Sequence, residues 1–162
     1  MNISAIITYY NEEKKILNTL EFIKRQSEIL TEVIFINSSS SDNTRNIIDR
    51  FIVENELQKK FKNISFDTKF PSDSSNLGIE LSNGDYIFFL DCGLEFDKNF
   101  LNKQINHIKK NIDAVFATTV MTGYSPLDVA NISQSYGFGK ENVILPGSLI
   151  KKDVFSKIGK FY

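Results

Sequence analysis

The sequence predicts an α/β fold with a mostly parallel sheet covered by helices on both faces. Two observations carry this expectation. Strand-like and helix-like segments alternate along the 162 residues. The strand-like segments are buried-type apolar runs, while the helix-like ones place apolar residues three and four apart on one side.

Residues 3–9 are rich in Ile and aromatic residues and read as a buried strand. Asn11 is expected to cap the first helix, with Glu12 and Glu13 in the first turn, where they suit the helix dipole. Ile16, Leu17, Leu20 and Ile23 make its apolar face. Residues 32–37 form a second buried strand. Asp42 or Asn43 caps the next helix, whose inward residues are Ile47, Ile48, Phe51 and Ile52. Residues 63–67 read as a short third strand. A polar stretch with Pro71 leads to a short helical turn at 77–81, and Asn83-Gly84 signals a turn. Residues 86–90 are a strongly apolar strand that ends at Asp91. A helix over 97–110 turns Phe100, Leu101, Ile105 and Ile108 inward, and 114–118 is a fifth strand. Residues 120–139 read as irregular with a short helix at 129–133, followed by a strand at 143–150 and a helix at 152–158.

Composition narrows the function. A hydrophobic share of 41% and a charged share of 24% are those of a globular chain of one domain. Lys plus Arg total 19 and Asp plus Glu total 20, so a net charge of −1 gives no electrostatic case for nucleic acid or an anionic membrane. The one cysteine, Cys92, excludes an intrachain disulfide and a multi-cysteine metal site and reads as a packing residue. His107, in a helix beside inward-facing Ile108, reads as structural. No apolar run approaches the roughly 20 residues of a membrane span. The N-terminus lacks the features of a signal peptide. The expected location is the cytoplasm, with the inner face of the membrane as the alternative.

In an open α/β sheet, ligands bind beyond the carboxyl ends of the strands. That rule selects Thr8-Tyr9-Tyr10-Asn11-Glu12-Glu13 after the first strand, residues 37–44 after the second, and Asp91-Cys92-Gly93-Leu94-Glu95 after the fourth. No Gly-x-Gly-x-x-Gly follows the first strand, and no P-loop occurs anywhere. Tyr10 offers an aromatic face to a base, and Thr8 and Asn37 offer hydrogen bonds. Asp91 ends an apolar strand, where a metal, a ribose hydroxyl or a backbone cap must satisfy its carboxylate.

Together these segments resemble family 2 glycosyltransferases. The residues that carry the likeness are Tyr10-Asn11-Glu12-Glu13, Ile36-Asn37-Ser38-Ser39-Ser40-Ser41-Asp42-Asn43-Thr44, Asn76-Leu77-Gly78, and Gly84-Asp85-Tyr86-Ile87-Phe88-Phe89-Leu90-Asp91. Residues 147–161 look like the segment just before the family's acidic catalytic motif. The resemblance implies a Rossmann-like GT-A sheet in a single domain, with residues 1–118 binding a nucleotide-diphosphate sugar and 119–162 beginning the acceptor side. It implies donor-binding roles for Thr8, Tyr10, Glu12, Asn37, Ser39, Asp42, Lys69, Asn76 and Asp91. It also implies a divalent cation, Mg2+ or Mn2+, held by Asp91 with Glu95 as a substitute ligand. The implied reaction is inverting transfer to a saccharide or lipid-linked acceptor, as in bacterial polysaccharide synthesis.

The pattern departs from the family at four points. Asn37 stands where an Asp is usual, and Gly93 where the second acidic residue of Asp-x-Asp would be. Ser75 precedes Asn76 where many members carry an Arg, a role left to Lys69. The acidic segment that supplies the general base is expected beyond Tyr162, in a longer enzyme of which this chain is a natural or deliberately shortened piece. A non-catalytic binding domain of the same fold is the second reading. A nucleotidyltransferase ranks last, because residues 8–13 contain no glycine.

Overall fold

The structure, a computed structural model, describes residues 1–68, 70–109, 111–118 and 143–162. Six strands form one sheet: β1 (Ile3–Tyr9), β2 (Glu32–Asn37), β3 (Phe61–Ser65), β4 (Tyr86–Asp91), β5 (Ala114–Thr118) and β6 (Val143–Lys151). Five helices are described: α1 (Ile16–Arg25), α2 (Thr44–Glu54), α3 (Pro71–Leu81), α4 (Phe100–Ile108) and α5 (Asp153–Ile158). The strand order is β3-β2-β1-β4-β6-β5. The pairings among β1 to β4 are parallel, and β6 runs antiparallel to both β4 and β5.

Side chains alternate along the strands and divide the core in two. Ala5, Ile7, Val33, Phe35, Phe88 and Leu90 face α1, α2 and α4. Ile6, Ile34, Ile36, Ile87 and Phe89 face α3 and α5. Both faces are therefore buried, which is why these strands read as continuous apolar runs. The expected sheet, mostly parallel with helices on both faces, is the observed one.

The differences lie at element ends. α1 starts at Ile16, not at Asn11, and Leu17 is 55% exposed while Phe22 takes its place in the core. β3 starts earlier, at Phe61, because that ring packs on Phe35 with centroids 6.0 Å apart. α3 starts at Pro71 rather than 77. Proline suits the first helical turn, where its missing N–H has no partner to lose. α4 is shorter than expected because Asp97 turns back to accept the Asn99 N–H. The short helix expected at 129–133 lies outside the described residues.

Two contacts set where the site's supports stand. A Cβ on Gly78 would lie 2.5 Å from Ile6 Cγ2, so α3 sits closer to β1 than a side chain would permit. At the opposite end of the sheet, buried Glu32 accepts from Ser4 Oγ at 2.8 Å, the Asn83 N–H at 2.6 Å and Lys62 Nζ at 2.9 Å. That carboxylate ties β1, β2, β3 and the turn before β4 together.

Candidate functional site

β2, β1 and β4 are adjacent and parallel, so their carboxyl ends share one edge of the sheet. The chain runs from β1 to β2 on one side, then crosses after α3 to β4 on the other. The β1/β4 junction is thus the topological switch point, where open α/β sheets bind ligands. Thr8 is in register with Asp91, and Tyr9 with Asn37. A cleft of about 650 Å³ opens there, lined by Thr8, Tyr9, Tyr10, Glu12, Ser38, Ser39, Asp67, Thr68, Pro71, Asp91 and Cys92.

The loops after β1 and β2 are laced together. Asn11 takes a positive φ of 53°, and its Oδ1 accepts the N–H groups of Ser41 at 2.8 Å and Asp42 at 3.2 Å. It therefore fastens the neighbouring loop and does not cap α1. The Glu12 N–H donates to Thr44 Oγ1 at 2.8 Å and the Glu13 N–H to Asp42 Oδ2 at 3.1 Å. Asp42 also accepts from the Thr44 hydroxyl at 2.6 Å and the Thr44 N–H at 3.0 Å. Desolvation pushes the Asp42 carboxyl up, but these donors outweigh it and hold the pKa below the ordinary value.

The proposed donor-binding residues fall into two groups. Thr8, Tyr10, Glu12, Ser39 and Asp91 line the cleft. Tyr10 is 60% exposed, so its ring is open to the cleft and to solvent. Asn37, Asp42 and Asn76 do not line it, and neither does Glu95, which was expected as a metal ligand. Asn37 is 5% exposed, and its Oδ1 accepts the Ser40 N–H at 2.8 Å. Asn76 clasps the backbone of Phe161, donating to its carbonyl at 2.8 Å and accepting its N–H at 3.0 Å. Lys69 lies outside the described residues. Sequence reasoning passed over Asp67, Thr68 and Pro71. The carboxyl-end rule applied to β3 would have found the first two.

Three carboxylates, Glu12, Asp67 and Asp91, reach this cleft, and none of its described lining residues is a cation. Asp91 is exposed as a residue and stands in the concave wall of the cleft. Desolvation, and then the charge of Glu12, raise its pKa above the ordinary value. Its cost as an anion is real, though smaller than for a carboxylate sealed in the core. No donor among the described residues bonds to it. The thiol of Cys92 is pushed up to about 12 by burial, then by Glu12 and Asp91, so it stays protonated. It packs against the α1 side of the core, as expected of it.

A divalent cation suits this chemistry in part. Asp91 presents hard oxygen atoms with no internal donor, as a magnesium or manganese ligand must. No group of three or more acidic, His or Cys side chains among the described residues is arranged to hold a metal. Gly93 has a φ of 80°, and a Cβ there would lie 2.7 Å from Lys15 Cδ, so an acidic side chain does not fit that position without adjustment. A cation here would draw one carboxylate from the protein and its other ligands from phosphate and water, a common arrangement for Mg2+.

The family model "Glycosyl transferase family 2" matches residues 4–158. An uncharacterized glycosyltransferase of Rickettsia bellii is 32% identical over 67% of this chain and 15% of its own length. The amylovoran biosynthesis glycosyltransferase AmsB of Erwinia amylovora is 28% identical over 68% of this chain and 36% of its own. The chain thus spans well under half the length of these curated relatives. Among solved structures, residues 1–349 of Staphylococcus aureus TarS superpose with a TM-score of 0.71 at 19% identity, over 97% of this chain and 49% of that one. The mannosyltransferase PcManGT of Pyrobaculum calidifontis, solved with GDP-Man and Mn2+, superposes with a TM-score of 0.73 at 17% identity, over 99% of this chain and 47% of that one. These likenesses establish the fold, and the family match across nearly the whole chain establishes descent: this chain belongs to glycosyl transferase family 2.

Proposed function

We propose that this chain binds a nucleotide-diphosphate sugar at the carboxyl ends of β1, β2 and β4, as the donor-binding part of a glycosyltransferase. The observation that carries the reading is the pairing, in one switch-point cleft, of exposed Tyr10 with Asp91, a carboxylate that no described donor satisfies. Tyr10 supplies a face for the base. Asp91 holds a divalent cation, which neutralises the diphosphate as it departs. Thr8, Ser39 and Glu12 offer the hydrogen-bonding groups between them. The TarS structures with UDP-GlcNAc and UDP and the PcManGT structure with GDP-Man and Mn2+ support this reading, because their folds superpose over 97% or more of this chain. Residues 1–118 carry donor binding, and 119–162 begin the acceptor side. The acceptor is a saccharide or a lipid-linked one, as relatives named for amylovoran biosynthesis and poly-beta-1,6-N-acetyl-D-glucosamine synthesis suggest. The reaction is placed in the cytoplasm, at the inner membrane face where the acceptor is lipid-linked. No helix among the described residues is long and apolar enough to cross a membrane.

Calorimetric titration of the chain with UDP and with GDP, each with and without Mn2+, tests this. Saturable binding of one of them that requires the metal and is lost in Asp91→Ala is the expected result. Absence of binding by a folded sample overturns it. Gly93 favours the second reading, a non-catalytic domain of the same fold, because a glycine supplies no second acidic ligand there. Donor turnover by a longer chain containing these residues refutes that alternative.

A further inference from the structure

We infer that Asp67 reads the nucleobase, selecting a base with a ring N–H, uracil or guanine, over cytosine or adenine. The inference rests on the donor-binding reading and deepens it. Asp67 follows β3 and lines the same cleft as Tyr10. Its Oδ1 accepts the Ser39 hydroxyl at 3.0 Å, and its Oδ2 takes no donor among the described residues. It makes no ion pair among them either. The backbone on either side of it is tied down: the Phe66 N–H donates to the Asn37 carbonyl at 2.9 Å, and the Thr68 N–H to the Phe66 carbonyl at 3.1 Å. A carboxylate oriented by Ser39, its second oxygen taking no donor among the described residues, thus stands exposed in the cleft wall.

Its position decides which part of a nucleotide it meets. β3 and β4 are three strand spacings apart in the sheet order, about 14 Å at the usual 4.8 Å per strand. Asp67 and Asp91 therefore mark opposite ends of the cleft, with Tyr10, which follows β1, between them. A phosphate beside an unneutralised carboxylate is repelled, so the charged diphosphate belongs at the Asp91 end with its cation. What remains for Asp67 is the neutral base, with its ring against Tyr10. Asn37, the other side chain at this corner, is buried and its amide oxygen is turned back onto Ser40. Uracil N3–H and guanine N1–H donate to a carboxylate. Cytosine N3 and adenine N1 carry a lone pair at the same place and repel it.

The test is competition binding to the 162-residue chain with Mn2+, comparing UDP with CDP and GDP with ADP. The parent chain is expected to prefer the ring N–H member of a pair by about tenfold or more, the ordinary worth of a hydrogen bond to a charged group. In Asp67→Asn, which offers both a donor and an acceptor, the preference is expected to fall below about threefold. Binding of inorganic pyrophosphate with Mn2+ stays unchanged. Ser39→Ala keeps the carboxylate but releases it, so an intermediate preference is expected, and it decides the matter if Asp67→Asn loses its circular dichroism signal. Undiminished preference in the variants, or none in the parent, overturns the role of Asp67 and leaves donor binding standing. A parent chain that binds no diphosphate at all overturns the donor reading, and this assignment with it.

Discussion

At the scale of single residues, the cleft holds charges that the fold does not need. The pKa of Asp91 is raised, so folding favours its protonated form. The resulting stability is complete at low pH and is lost as pH rises through the folded value. Asp91→Asn is therefore expected to stabilise the fold slightly at pH 7, by less than about 1 kcal/mol because the group still meets solvent, and so to raise the melting temperature. The gain is expected to vanish below about pH 4, where an ordinary carboxyl is protonated. Thermal melts of both proteins across that range check this. Gly93 is the second case. Its φ of 80° is one that residues with a side chain rarely adopt. Gly93→Ala is expected to cost about 1 kcal/mol in denaturant unfolding, whatever it does to ligand binding.

Among the elements, α3 shows how packing outranks propensity. Gly78→Ala would improve an isolated helix by about 1 kcal/mol. Here the new methyl would press on Ile6 and on Ile36 Cδ1, 3.2 Å away. A net loss of about 1–3 kcal/mol is expected, measurable as a lower urea midpoint with an unchanged slope. Because α3 begins at Pro71 in the cleft wall, the same variant is expected to weaken nucleotide binding. The apolar runs of β1, β2 and β4 made the strands legible, since burial on both faces leaves no other pattern. The start of α3 was not, because Ser72, Asp73, Ser74 and Ser75 look like a loop until their buried members are counted. Asn11 and Asn76 suited the family pattern by identity, while their amides are spent on backbone groups 30 and 85 residues away. Such long-range partners leave no local trace in a sequence. Asp67 was hidden differently, by a strand end placed two residues late.

For the molecule as a whole, one buried anion couples the strands at the end remote from the cleft. Burial alone would raise the Glu32 pKa. The donors from Asn83, Lys62 and Ser4 outweigh it and lower the value. Its stabilisation is then complete above the ordinary carboxylate pKa of about 4.3 and is lost as pH falls through the lower folded value. Glu32→Gln is expected to cost about 2 kcal/mol at pH 7. It is also expected to flatten the fall in melting temperature between about pH 5 and 3, as calorimetry would show. The sheet order has a consequence in time as well as in space. Among the described strands β6 comes last in sequence, yet it fills the place between β4 and β5, and β5 pairs with no other of them. Until residues 143–151 are made, no other described strand covers that edge of β4, with its N–H and C=O groups, or pairs with β5. Parallel pairing of β1 to β4 can proceed first, while closure of the sheet waits for a distant segment, a slow step in any chain. A ribosome-bound chain stopped short of residue 143 would carry that open edge into the cell, where it is a template for any passing strand.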